Sequence, residues 1–447
     1  MMDNLRILQV STQDFGGGAE KSALLLFNKY RELGYKSWLA VGRKLSNDPD
    51  IFEFPKPSPN NNPGNNIFFL FDRLLQNAGN IIPKNKAISY YLRDLATGAM
   101  EIRRKIRCRS GREDFNFPGT WHLLDLPPMQ PSIVHLHNLH GGYFDLRYLP
   151  ELSQQVPVIL NLRDMWTLTG HCAHPINCIR WQIGCAHCPD LRIYPAIARD
   201  ATKYNYQRKN HIFMQSKLFI TTPTKWLMDQ VLTSQMFSAV EYRVIANAIN
   251  VQLFRPGNKK LARQALDLPQ DAQIVLFLSH SEFKDFKTMQ SALSHLRKRQ
   301  APLIFVCIGL TGVKEIIGEG ELIYTGRILD ENKMVLYYQA ADVYMHAAHH
   351  EVFGKSIVEA MACATPVVAT GVDGIREVII DGVTGFLTPA KDSFALAERM
   401  NVLLEDPNLR VEIGMNSTKY ARKAFNLDRQ VNDFLSWYHE ILDSRAS

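Results

Sequence analysis

The sequence has no apolar run approaching the roughly 20 residues that a helix needs to cross a bilayer, which excludes an integral helical membrane protein. Its first ten residues, MMDNLRILQV, lack the basic start, long apolar centre and small-residue cleavage site of a secretory signal. These two absences place the chain in the cytoplasm, either free or resting on the inner face of the plasma membrane. Disulfides rarely persist there, so clustered cysteines need another explanation. No internal repeat is present beyond the βα units described below, which argues against a solenoid or propeller. Extreme composition is missing as well: 46% of residues are hydrophobic and 21% charged, the balance of a soluble globular enzyme. A chain of 447 residues exceeds what one ordinary core organises, so two domains are expected.

Charge is unevenly placed. Residues 1–250 carry 29 Lys and Arg against 20 Asp and Glu, whereas residues 251–447 carry 22 against 24. A basic first half suits either an anionic acceptor or an anionic membrane surface, and equally a plain solvated surface.

Short apolar runs alternate with longer amphipathic ones. Leu5–Ser11, Ser37–Val41, Ile133–His137, Val158–Leu162, Leu218–Thr221 and Val244–Ala246 read as one series of strands. Ile274–Leu278, Leu303–Ile308, Leu322–Tyr324, Val343–His346 and Val367–Ala369 read as a second. Ala19–Leu33 reads as a helix closed by Gly34. Strands alternating with helices imply parallel sheets covered on both faces, and two such series imply two doubly wound α/β domains. The join is expected near Asn247–Pro256. Pro55–Asn66 reads as a loop, and the region from about 55 to 127 as a partly helical insertion. Within it, Arg103, Arg104, Lys105, Arg107, Arg109 and Arg112 form a basic run. That run suits a membrane surface, a diphosphate or only a solvated helix face.

Gly16, Gly17 and Gly18 lie between the first strand and the first helix. Glycines there let backbone N–H groups and a helix start face an anion. A dinucleotide fingerprint would need a third small residue where Lys21 stands, which excludes an NAD site. Residues 351–359 read EVFGKSIVE. Glu351 is expected on a loop and Glu359 at the start of a small-residue helix. One carboxylate then meets sugar hydroxyls, the other grips ribose hydroxyls, and backbone N–H groups of Phe353–Ser356 face a phosphate.

With these segments, the chain resembles the retaining glycosyltransferases of family 4. The resemblance is carried by the loop GGGAE at 16–20, VHLHN at 134–138, VIANAIN at 244–250, AADV at 340–343, the Glu351–Glu359 segment, EAMAC at 359–363, TPVVA at 365–369 and DGVTGF at 381–386. It implies the α/β GT-B fold, two Rossmann-like doubly wound domains facing across a cleft. Residues 1–250 would form the acceptor-binding domain, with the insertion and a cysteine-rich segment at 171–189. Residues 251–425 would bind the nucleotide-sugar, and residues 426–447 would form a helix crossing back. By the same resemblance Glu359 holds ribose, Glu351 with the backbone at Phe353 and Gly354 holds the donor sugar, and Lys287 neutralises the diphosphate. Gly17, Lys284, Lys355 and Ser356 complete the donor site. Glu351 and Lys287 carry catalysis, because a leaving diphosphate gains charge that fixed cations stabilise. Gly16, Gly18, His137, Asn138, Arg163, Asp164 and Trp166 line the acceptor side. No cofactor takes part in catalysis.

Four departures from the family pattern stand out, one of them Asn247-Ala248-Ile249-Asn250 where the linker commonly has Asn-Gly before Asp. Thr288 follows Lys287 where glycine is usual, Ser281 stands where arginine is usual, and Arg163 precedes Asp164 where histidine is usual.

Four of the seven cysteines, Cys172, Cys178, Cys185 and Cys188, fall within seventeen residues. A structural zinc, a reduced packing cluster and disulfides are the three readings; His171, His174 and His187 are substitute ligands. A similar cysteine-rich stretch occurs in an exopolysaccharide-associated branch of these transferases, which implies a glycan or polyprenyl-diphosphate-linked acceptor and a GDP- or UDP-sugar donor. The competing readings are another two-domain sugar enzyme such as an epimerase or phosphorylase, a catalytically weak or inactive sugar-binding protein, and a zinc-containing nucleic-acid binder. The last leaves the donor pattern unexplained, so nucleic acid is not an expected partner.

Overall fold

Strands buried on both faces read as continuous apolar runs, and the computed structural model assembles those of the described residues into two sheets of seven. Residues 5–55, 104–237, 241–279 and 283–446 are described. The chain divides into two units: residues 1–221, 230–243 and 438–447 form the first, and residues 222–229 and 244–437 the second.

The first sheet contains β1 (Arg6–Gln13), β2 (Lys36–Arg43), β3 (Ile51–Glu53), β4 (Ile133–His137), β5 (Val158–Asn161), β6 (Leu218–Thr222) and β7 (Tyr242–Val244). Their order is β3-β2-β1-β4-β5-β6-β7, with parallel pairing from β3 through β6. Ile7, Leu8, Val10, Val134, Leu136 and Ile159 are completely enclosed. The last strand begins earlier than its apolar residues suggest. Ile220 N–H donates to Glu241 O, which draws the segment before Val244 into the sheet. Val244 itself is 44% exposed, so its apolar side chain does not mark a core strand.

The second sheet contains β8 (Gln273–Leu278), β9 (Leu303–Ile308), β10 (Glu315–Ile317), β11 (Gly320–Gly326), β12 (Val343–His346), β13 (Val367–Thr370) and β14 (Phe386–Thr388). Their order is β10-β11-β9-β8-β12-β13-β14. All pairs are parallel except the hairpin β10–β11. The edge strands β3, β10 and β14 have three residues each and escaped sequence reading, because so short a run carries no periodicity.

Most of the expected insertion, residues 56–103 with Arg103 among them, lies outside the described residues. Residues 104–109 are helical. The cysteine-rich segment has one short 3-10 turn, Arg180–Ile183, anchored by buried Trp181. Its chain turns through left-handed conformations at Asn177, Cys185 and His187.

A buried ion pair ties together three parts of the second unit. Asp342, immediately before β12, accepts from Arg263 Nη2 at 2.8 Å, Lys259 Nζ at 2.7 Å and the Ile274 N–H of β8 at 2.8 Å. Both Asp342 and Arg263 side chains are under a tenth exposed. Asp342→Ala strands a buried guanidinium, and the expected loss is about 3–5 kcal/mol, measured as a lowered urea midpoint for the transition that exposes β8.

Candidate active site

In parallel α/β sheets, ligands gather at the carboxyl ends of the strands, where loops carry polar groups past the apolar core. In the second unit β12 ends at His346, and the following loop supplies Glu351. Lys284 Nζ lies 2.6 Å from Glu351 Oε2 and 2.6 Å from His346 Nε2. Burial pushes the Glu351 carboxyl up, but the charge of Lys284 and the hydrogen bonds from His346 and Lys284 outweigh it and hold the group well below the usual carboxylate range. Glu351 therefore stays ionised at neutral pH. Its other oxygen accepts from Gly354 N–H at 3.2 Å, and its own N–H donates to Asp373 at 3.0 Å.

The next helix, Lys355–Ala362, begins one turn before the expected start at Glu359. Gly354 sets that start. It adopts φ +73, and a Cβ there would sit 2.8 Å from Ile357 Cδ1. No side chain caps the helix, so its first N–H groups and dipole face outward, the arrangement that attracts phosphate. Glu359 follows in the second turn and accepts from Tyr338 Oη at 2.9 Å; Ser356 Oγ bonds Tyr344 Oη at 2.9 Å. Phe353 is buried against Phe425, so its ring is core and only its backbone can meet a ligand. Glu351, Gly354, Lys355, Ser356 and Glu359 thus lie on one loop-and-helix unit, with Lys284 joined to it. Lys287 is exposed in the first turn of the helix Phe286–Ser294 and makes no ion pair or hydrogen bond among the described residues. Ser281 lies outside the described residues. His346, Asp373 and Tyr338 were not singled out in the sequence; the position of His346 at a strand's carboxyl end was the available signal.

In the first unit, Gly17 caps the helix Gly18–Glu32 without a side-chain bond, and Gly16 precedes it with φ +152. His137 ends β4, stacks on His135 at 4.1 Å, and bonds Gln9 Oε1 at 2.9 Å and Arg163 Nη2 at 3.2 Å. Asn138 follows with a left-handed φ of 39. Burial, assisted by Arg163, holds His135 and His137 far below the ordinary imidazole value, and burial lowers Arg163 to about 10. Asp164 pairs with a residue missed in the sequence, His140, at 2.8 Å. Burial works against the charge of each, yet the pair raises His140 and lowers Asp164. Trp166 is buried; its Nε1 donates to Glu113 at 2.6 Å and its ring packs under Lys209 Nζ at 4.1 Å.

Cys172, Cys178, Cys185 and Cys188 are free thiols lining one small cavity with His171, whose Nε2 is 3.3 Å from Cys188 Sγ. Among the described residues, however, no group of three or more His, Cys, Asp or Glu side chains is arranged to hold a metal ion.

Two parallel-sheet α/β units of this kind define the GT-B glycosyltransferase fold. The chain superposes on sucrose-phosphate synthase from Thermosynechococcus elongatus with a TM-score of 0.64 and 17% identity, over 99% of this chain and 100% of that one. HepE from Anabaena in complex with UDP-glucose gives 0.61 and 16%, over 99% and 100%. Residues 258–420 match the family model of glycosyl transferases group 1. That match contains Lys284, Glu351 and Glu359. D-inositol 3-phosphate glycosyltransferase from Streptosporangium roseum is 31% identical over 195 residues, 40% of this chain and 45% of the relative. The Corynebacterium diphtheriae counterpart is 30% identical over 40% and 46%. The chain spans about half the length of the curated relatives it matches.

The histidines set the pH response of the first unit. A histidine with a depressed folded pKa leaves the unfolded chain binding more protons, so stability is lost as pH falls below about 6.5. His140 has a raised pKa; its contribution is complete below 6.5 and fades above it. Between pH 6.5 and 5 the buried pair supplies a slope, up to about 1.4 kcal/mol per pH unit for each histidine. Hydrogen-exchange protection of β1 and β4, corrected for intrinsic rate, should fall across that window, and less steeply in His137→Asn.

Proposed function

We propose that the chain is a glycosyltransferase that moves a sugar from a nucleotide-diphosphate sugar to a glycan or lipid-linked acceptor, with retention of anomeric configuration. The carrying observation is the ionised Glu351 fixed by Lys284 and His346 beside an uncapped helix start, with Glu359 on the same helix. In this reading Glu359 takes the ribose hydroxyls, and Glu351 with the backbone at Phe353 and Gly354 takes the sugar. The helix start with Lys284 and Lys287 meets the diphosphate. The bond from the anomeric carbon to the diphosphate oxygen breaks, and its electron pair leaves with the diphosphate. The acceptor oxygen bonds the carbon from the same face, and its proton passes to the departing phosphate oxygen. Charge gathered on that phosphate is stabilised by groups already in place. HepE, which binds UDP-glucose, makes a UDP-sugar the first donor to test; a GDP-sugar remains the second. The inositol phosphate relatives suggest one acceptor type, and the cysteine-rich segment suggests exopolysaccharide synthesis at the cytoplasmic membrane face.

A second reading, a sugar-binding protein with little or no transfer activity, is favoured by Arg163 standing where the family has histidine. A structural zinc is kept as a further proposal for the cysteine-rich segment, against the arrangement of its side chains. Four thiols and an imidazole are a suitable donor set, although they would have to draw closer than they stand.

Thermal shift with UDP-, GDP- and ADP-sugars should single out one base, and Glu359→Ala should weaken that binding by roughly tenfold or more. No shift with any nucleotide-sugar would sink the donor assignment; binding without sugar release would favour the second reading. Elemental analysis should find one zinc per chain, absent from Cys185→Ser/Cys188→Ser. A metal-free wild type would leave a reduced packing cluster.

A further inference from the structure

Two histidines of β4, His135 within the strand and His137 at its end, are completely buried, and their rings stack at 4.1 Å. A histidine that moves a proton needs a ring nitrogen within reach of the group it serves. In this pair all four ring nitrogens already meet the protein. His137 Nδ1 lies 3.2 Å from Arg163 Nη2. A guanidinium has donors and no acceptor, so Nδ1 can only accept there. The His137 proton is therefore on Nε2, which donates to Gln9 Oε1 at 2.9 Å. His135 Nε2 faces Asn161 Nδ2 at 3.3 Å and accepts from that amide. Its proton is on Nδ1, which donates to Tyr438 Oη at 2.7 Å.

Tyr438 belongs to the helix Leu427–Ala446, and its hydroxyl shares a hydrogen bond of 3.1 Å with that of Tyr30 on the helix Gly18–Glu32. Both tyrosines are completely buried. A line of hydrogen bonds and one ring stack thus runs from two helices, through β4, to Arg163, two residues beyond the end of β5. Burial holds both imidazoles far below the ordinary value, so neither ring carries a second proton at neutral pH. A further proton on His137 Nδ1 would also point at a cation. A neutral ring nitrogen can orient a guanidinium and leave its charge in place, which a carboxylate cannot.

We propose that His137 is a positioning residue that aims Arg163 and takes no proton from a substrate, and that Tyr438 fixes the His135 ring on which His137 lies. This rests on the transferase reading, in which Arg163 lines the acceptor side. The acceptor's proton then reaches the departing phosphate oxygen without passing through His137.

Imidazole nitrogen NMR of the full chain at pH 7 tests it, with the two rings assigned by His135→Asn and His137→Asn. His137 should carry its proton on Nε2 and His135 on Nδ1. Tyr438→Phe keeps the ring and removes the acceptor, so His135 should change to the Nε2-protonated form while His137 does not change. A proton on His137 Nδ1 overturns the proposal, and an unchanged His135 in Tyr438→Phe overturns the part given to Tyr438. The Arg163 guanidinium supplies a second signal. Its Nη resonances should be resolved in the wild type and in His137→Asn, whose amide oxygen can replace the accepting nitrogen, and averaged in His137→Leu. Equal signals in all three overturn the positioning role. Sugar release from UDP-glucose should be at least about tenfold faster in His137→Asn than in His137→Leu; equal loss in both marks a proton carrier and overturns it. UDP-glucose binding, controlled by Glu359→Ala, is read separately. Its failure with the nitrogen signals as assigned removes the transferase reading, whereas the reverse removes only this inference.

Discussion

A parallel sheet covered on both faces keeps polar side chains within its strands only where they bond one another, as Gln9 does with His137 and His135 with Asn161, and otherwise leaves them to the strand ends. Val343–His346 and Ile133–His137, the latter with His135 inside it, each end on a histidine at the strand's carboxyl end. His346 meets Lys284 and Glu351, and His137 meets Gln9 and Arg163. The loops that continue from these ends bring Glu351 in one unit and His140 in the other. Hydrophobic burial therefore does two things at once: it makes the sheets, and it concentrates ionisable groups at one end of each.

The carboxylates of Glu351 and Asp164 stay ionised because they are paired, whereas burial holds His135 and His137 well below the usual imidazole range. Taking a carboxylate out of water is costly unless a cation and hydrogen bonds replace the solvent. Asp342 has Arg263 and Lys259, Glu351 has Lys284, Glu113 has Lys209, and Asp164 has His140. The first pair holds helix to strand.

The two units were read from the sequence with unequal ease. The strands of five or more residues were legible because their apolar runs are continuous, as in Leu303–Ile308. Three-residue edge strands were not, and β7 was placed two residues late because Val244 is apolar yet exposed. The helix at 355–362 was expected later than it begins, since Gly354 reads as a loop residue until its left-handed conformation is seen to open the helix. In the cysteine-rich segment the spacing brought four thiols to notice, and the fold places them around one cavity without a ligating arrangement.

By itself the sequence determined the alternation of strand and helix, the doubly wound class and the stretch 351–359, because burial and backbone geometry act on neighbours along the chain. Only the tertiary structure decided which cations face which acids. It set Lys284 against Glu351 across 67 residues and His140 against Asp164 across 24. It also gathered Phe115, Phe144, Trp166 and Tyr194 around one cavity with Arg109 and Arg112. Electrostatic and ring contacts of this kind depend on distance in space, and no local pattern in the chain records that distance.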